Sequence, residues 1–448
     1  MTARLRKLFD DLANSFWLLP ALIVLAGLLT ALALVQLDRS GLLPRWLLED
    51  WLYDGGATGA RTLLGAVASS TIGVAGTVFS ITIAALSLAA GQMGPRLLRN
   101  FTKDRGNQLT LGAFLGTFSY ALIVLRSVRT QDEGAFIPHL SLTVAIILAF
   151  VCVATLVYFV GHMAGRINVD TVIDLVSEEV QSAIGRLTTD KQQIEPPPAE
   201  FWKDGTPIDD SRRGYLQHLD DQGLADWAAE HETSIRLLVR PGDYIFPGAP
   251  IAVMLPPVEG AAEAIRNATA LGPQRVSSAD LEFAVRQLVE VAVRALSPGI
   301  NDPHTAMSAL DRLGAALCEI VPLYLPSGVL MRGDRPVLIV PRLQYERLLN
   351  AMFDMIRQNG STSAAVLTRI LDVLTAVISV ERDRDRMLLL KEHADLVAGD
   401  ARRNISNPAD LRDIDLRHAA FLTMLHDGPL GQFATQSDEH QGARSNGS

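Results

Sequence analysis

Hydrophobic and polar positions divide the chain near residue 165. Before that point, apolar runs of membrane-crossing length alternate with short polar loops; beyond it, shorter apolar stripes recur at helix or strand period. The long runs are Phe16–Leu37, Thr62–Pro95, Leu109–Leu125 and Leu140–Val160. A helix crosses the roughly 30 Å hydrocarbon core of a bilayer with about 20 residues, so the pattern predicts four spans. The third, with seventeen residues, is at the short limit. The first has twenty-two, followed directly by Asp38 and Arg39. That is longer than a signal-peptide core, and it predicts a retained span.

The second run dominates the membrane half, with thirty-four residues and no charge. As a helix it would reach roughly 50 Å, so it either projects into water or breaks, with Gly73 and Gly76 as break points. Ser69, Gly73, Gly76, Ser80, Ser87 and Gly91 fall three, four or seven residues apart and share one helix face. Two readings stay open. Small residues let helices approach closely, and the same face, repeated in several copies, could line a water-filled pore. Gly112 and Gly116 in the third run predict a further tight packing point.

Lys and Arg in short loops set orientation. Arg4, Arg6 and Lys7 precede the first span, and Arg96, Arg99, Lys103 and Arg105 lie between spans two and three. The loop after the first span carries Glu49, Asp50 and Asp54. This alternation predicts both termini on the cytoplasmic side. Trp46 and Trp51 suit an outer interfacial anchor, and Leu42–Leu52 suits an interfacial amphipathic helix. In an oligomer with span two central, Arg96, Arg99 and Lys103 would form a cytoplasmic basic collar favouring anions; they also serve as the ordinary positive-inside signal.

After the spans, Val169–Leu187 reads as a charged helix, and Lys191–Glu200, with three consecutive prolines, as a stiff linker. Between Gly214 and Leu255 short runs rich in β-formers (GYLQHL, SIRLLV, YIF, PIAVM) are separated by Pro-Gly turns. From Ser277 the pattern is helical. Ser277 and Asp280 form a capping box, and Glu282, Arg286, Glu290 and Arg294 predict a solvated face of i,i+4 pairs. Apolar stripes follow at Leu310, Leu313, Leu317 and Ile320, at Leu349, Met352, Phe353 and Ile356, and at Leu367, Ile370, Leu374 and Val377. Asn407-Pro408 opens a last helix. From Gly428 the composition is that of a disordered tail.

The expected fold is therefore membrane α-helical with four transmembrane helices (1–165), followed by a cytoplasmic α+β region. That region comprises a connecting helix and Pro-rich linker (166–200), a small β-module (201–260), an α-helical bundle (261–427) and the tail (428–448).

Charge is split along the chain. Residues 1–165 hold 12 Lys+Arg against 9 Asp+Glu, leaving 28 against 40 for the remainder. An acidic second half is a poor match for nucleic acid. Two cysteines, Cys152 and Cys318, offer no disulfide framework. Ser297, Asn301, Asp302 and His304 stand in a pointed motif, SPGINDPHT, which could bind an anion at a helix N-terminus, meet the membrane half, or simply form a capped interhelical turn. His139 and His162 flank the fourth span and read as interfacial. GxxxxGK[ST], HExxH, CxxC and GxSxG are all lacking, and His418 and His426 have no carboxylates spaced for a metal. The sequence thus predicts no catalytic residues, no metal and no cofactor.

RPGDYIFPGAPIAVM resembles the hairpin of biotinyl and lipoyl carrier domains, but no Lys occupies a hairpin tip, so covalent cofactor attachment is not expected. Three stretches together, SSTIGVAGTVFSITIAALSLAAGQMGPRLLRNF, IRLLVRPGDYIFPGAPIAV and RALSPGINDPHTA, resemble a bacterial predicted-membrane-protein family called domain of unknown function 2254. The resemblance covers about Trp17 to His426. It implies an inner-membrane protein with a cytoplasmic C-terminal region and no established activity. The function expected is a non-enzymatic, homo-oligomeric channel lined by span two, with small ions, anions over cations, as its cargo. The alternative is a non-conducting scaffold or sensor whose bundle binds a protein.

Overall fold

The computed structural model describes residues 16–40, 56–93, 104–129, 136–166, 169–275 and 280–445. The chain forms two compact units, one over Phe9–Asn168 and one from Val169 onward.

The first unit contains α1 (Leu18–Ser40), α2 (Ala57–Met93), α3 (Arg105–Ser127) and α4 (His139–Arg166). All four are long and apolar enough to cross a membrane. The interior helix is α3, with 56% of its span buried against 17–22% for the others. It is also the most polar span, burying Asn107, Gln108, Thr110 and Thr117, which suits a helix shielded from lipid. Glycines bring α1 and α3 together: a Cβ on Gly27 would lie 2.7 Å from the Gly116 carbonyl oxygen, and one on Gly112 would lie 2.5 Å from the Ile23 side chain. The tight packing expected at Gly112 and Gly116 is found there.

The second helix does not break. It runs 37 residues through Gly73 and Gly76, about 55 Å at 1.5 Å per residue. Glycine weakens a helix without ending it, and the hydroxyls of Thr77 and Ser80 bond back to the carbonyls of these two residues. Of the two expectations for this run, the break is the one that fails, and the unbroken helix is longer than the roughly 30 Å hydrocarbon core.

The second unit opens with α5 (Val169–Leu187), at the predicted boundaries. Two sheets follow, built from β1 (Thr206–Asp210), β2 (Gly214–Leu219), β3 (Ser234–Leu237), β4 (Tyr244–Ile245), β5 (Ala249–Leu255), β6 (Thr269–Gly272), β7 (Val329–Arg332) and β8 (Arg335–Ile339). Their orders are β1-β5-β3-β8-β7 and β4-β2-β6. All pairings are antiparallel except β3 with β8. Helices α6 (Asp221–Glu230) and α7 (Ala261–Ala268) cover a core that includes Leu216, Leu224, Ile235, Ile251, Ile265 and Leu338. The sheets therefore draw on the β7–β8 hairpin, far along the chain.

The remaining helices are α8 (Leu281–Ala295), α9 (Pro303–Ile320), α10 (Tyr345–Asn359), α11 (Ala364–Val380), α12 (Arg384–Asn404) and α13 (Pro408–Ser445). The three predicted apolar stripes are fully buried on α9, α10 and α11. Two expectations fail at α8. Ser277 lies outside the described residues, and Asp280 is the N-cap residue, not a capping-box partner; its side chain makes no cap hydrogen bond. The face expected to be solvated is only partly so: Glu282 is 1% exposed, while Arg286, Glu290 and Arg294 are half-buried. The reason is that α5, α9 and α10 all pack on α8. Glu282 accepts from Arg240, Arg286 and Arg347, so the RPGD turn between β3 and β4 is tied to the helical layer. At Gly428 (φ 67°) the backbone leaves helical geometry, with Pro429 next; beyond this break the segment given tail composition above carries helical backbone to Ser445.

Candidate functional site

The packed side of α2 consists of Ala60, Leu64, Ala68, Thr71, Ala75, Val78 and Ala85. At about 100° per residue, these positions centre on one direction. Thr58, Thr62, Ser69, Gly73, Gly76, Ser80 and Ser87 point roughly the opposite way, and all seven are exposed. That sector holds no side chain larger than threonine over some eight turns. A Cβ added at Gly73 or Gly76 would meet nothing within 4 Å. Ser69, Gly73, Gly76, Ser80 and Ser87 are thus brought onto one outward face, as their spacing predicted. Gly91 lies in the last described turn, and Arg96, Arg99 and Lys103 fall outside the described residues, as do Trp46 and Trp51.

The other outward faces are different. On α1 they carry Leu22, Leu25, Leu29 and Leu32, and on α4 Ile147, Phe150, Val153 and Val157, the composition that suits lipid. On α2 the hydroxyls of Ser69 and Ser80 donate to the carbonyls of Gly65 and Gly76 at 2.8 and 2.9 Å. Their protons are thereby satisfied within the helix, and their oxygens keep lone pairs facing outward. This surface can sit against a second helix or against water.

Charge marks the two ends of α4. Asp38 and Asp104 are the sole carboxylates among the described residues of the first unit. Asp38, near the end of α1, accepts from the backbone N–H of Leu140 and Ser141 at 3.1 and 3.0 Å and from the Ser141 hydroxyl at 2.6 Å. A carboxylate at a helix N-terminus is favoured by its unpaired N–H groups and dipole. Asp104 caps α3 through Gly106 N at 2.8 Å and meets His162 Nε2 at 2.7 Å. Sequence reasoning left His162 as a simple interfacial residue. The overlooked signal was an isolated acid at each of two span ends.

The SPGINDPHT motif forms the α8–α9 turn. Asn301 takes a left-handed backbone (φ 50°). Ser297 donates to the Arg294 carbonyl at 2.7 Å. Asp302 caps α9, accepting from Thr305 N at 3.2 Å and from its hydroxyl at 2.6 Å. The hydroxyl bond is the main reason its carboxyl is held below the usual range. The backbone of His304 also hydrogen-bonds Asp302, and His304 lines a cleft of about 540 Å³ together with Asp311, Arg369 and Asp372. Asp311 is paired bidentately with Arg369. Among the described residues no group of three or more His, Cys, Asp or Glu could hold a metal ion.

An uncharacterized protein of Mycobacterium tuberculosis (strain CDC 1551 / Oshkosh) is 31% identical over 427 residues, covering 92% of this chain and 80% of the relative. An uncharacterized protein of Mycobacterium bovis matches with the same identity and coverage. No solved structure matches. The family described as "Predicted membrane protein (DUF2254)" matches residues 13–376. With four helices of spanning length and a family match over most of its length, the chain belongs to the DUF2254 family of membrane proteins.

Proposed function

We propose that the protein is a homo-oligomeric channel of the bacterial inner membrane, with α2 of each copy lining the path. Both termini and the second unit lie on the cytoplasmic side, where that unit acts as gate or vestibule. The observation that carries this reading is the outward sector of α2, small and hydroxylic from Thr58 to Ser87 and uncovered within one chain. Lipid contact gives no reason for such a face on one span when its neighbours present leucine, isoleucine and phenylalanine. Copies arranged around a water-filled path give one. Preference for anions rests on Arg96, Arg99 and Lys103, which follow α2 in the chain, more than on the hydroxyls of Ser69 and Ser80, whose protons are engaged.

A non-conducting scaffold or sensor is the second reading. It is favoured by those same satisfied hydroxyls, which allow the sector to pack dry against another α2. Planar-bilayer recording of the purified full chain separates the two. The channel predicts anion-selective conductance that shifts towards cations in the Arg96→Glu, Arg99→Glu double variant. A stable oligomer without conductance would leave the scaffold.

A further inference from the structure

Strand alternation sorts the β4 edge of the small sheet: Ile245 is buried, while Tyr244 and Phe246 point outward. Phe246, 64% exposed, is the most open of these. The outward rings are contiguous. Tyr215 meets Tyr244 edge-on at 5.1 Å, and Tyr244 meets Phe246 at 5.0 Å. The turn beyond them is fixed by Gly248 N donating to the Asp210 carbonyl at 2.7 Å and Ala249 N to the Phe246 carbonyl at 3.1 Å. No charged residue occurs from Tyr244 to Leu255. A single exposed hydrophobic side chain is ordinary; three touching rings on a pinned edge are not.

We propose that this aromatic edge seats in the interfacial layer of the bilayer that the chain itself spans. Two observations select that occupant. The first is composition, since tyrosine offers an apolar ring and a polar tip and is enriched at membrane interfaces. The second is tethering. Only residues 167–205, including the 19 of α5, separate the last span from β1, a reach of about 100 Å at full extension. The module is therefore confined within that reach of the membrane. Because the chain beyond residue 165 is acidic, apolar insertion and not attraction to anionic lipid drives the contact.

The test uses the full chain in phosphatidylcholine vesicles. An environment-sensitive fluorophore is attached at Phe246→Cys in a Cys152→Ala, Cys318→Ala background, with Asp334→Cys in the β7–β8 turn as the solvent control. Pro247→Cys provides a second site should the first fail to fold. The label at 246 or 247 should emit to the blue of the label at 334 and lose intensity with shallow nitroxide-bearing lipid. High salt and added phosphatidylglycerol should not strengthen the effect, and Tyr244→Glu should weaken it. Emission equal to the 334 control would overturn the proposal. So would efficient disulfide cross-linking between two copies of the unlabelled Phe246→Cys variant without lipid quenching of the labelled one, which would make the edge a contact between copies.

Discussion

Val78 and Ser80 stand on opposite sides of α2. Val78 is 2% exposed in the helix bundle, whereas Ser80, two residues later and about 200° around the helix, faces out with its hydroxyl bonded to Gly76 O at 2.9 Å. A single chain therefore meets the packing needs of one side of α2 and leaves the other unmet. The proposed function rests on that division.

Glycine substitutions separate the two sides. A Cβ at Gly73 or Gly76 would meet nothing beyond its own helix within 4 Å, so in Gly73→Leu and Gly76→Leu thermal unfolding of the monomer should be little changed, while the leucine obstructs the proposed path and lowers conductance. Gly27→Ala should do the reverse, because its Cβ would collide with the Gly116 backbone at 2.7 Å and force α1 from α3. Melting together with planar-bilayer recording reads both effects.

Asp302→Ala removes a cap whose two acceptor bonds go to Thr305. The expected loss is about 0.5–2 kcal/mol, seen as a lower melting temperature. Asp302→Asn should recover much of it, since asparagine also caps.

Glu282→Gln strands Arg240, whose side chain is 8% exposed and whose other ionic contact, Asp243, is 3.9 Å away. Breaking one side of a buried pair costs about 3–5 kcal/mol; the low end applies, because Arg286 and Arg347 reach solvent. Burial alone would raise the Glu282 pKa, but hydrogen bonds from Arg347 and Arg286 and the charges of Arg347 and Arg240 hold it below the ordinary value of 4.5. Its stabilisation is therefore present above pH 4.5 and disappears on acidification through the lowered value. The wild type should lose stability there more steeply than the variant.

His393 acts at milder pH. It is buried on α12, its Nδ1 lacks a partner, and its ring lies 5.9 Å from that of Phe353. Burial lowers its pKa below 6.5; Asp354 opposes this, Arg357 adds to it, and Glu392 and Glu346 oppose it. The unfolded chain then takes up this proton first, so stability falls as pH drops below 6.5 and levels off below the folded value. His393→Leu should flatten the melting temperature between about pH 7 and 5 relative to wild type.

Legibility in the sequence followed the range of the interactions. Apolar run length yielded the four spans, a charged helical stretch yielded α5, and apolar period yielded the buried stripes of α9, α10 and α11, because each is a local pattern. The β7–β8 hairpin was not recognised: its run VLMRGDRPVLIV is short, and β8 finds its place beside β3, about a hundred residues earlier. Glu282 was misplaced because alternating Glu and Arg at four-residue spacing looks alike on an open face and in an enclosed ion network. The small-residue face of α2 was visible as spacing, but its direction depended on which side α3 took.

In the channel, the Ser80 side of α2 faces a water-filled path. Cysteine accessibility in the assembled protein tests this most directly, with Cys152 replaced. Cysteine at Ser80 or Ser69 should react with a small charged thiol reagent, while cysteine at Ile81, about 100° away and 44% exposed on the single chain, should not. Protection of Ser69→Cys and Ser80→Cys in an intact oligomer would mean a dry helix contact and contradict the channel.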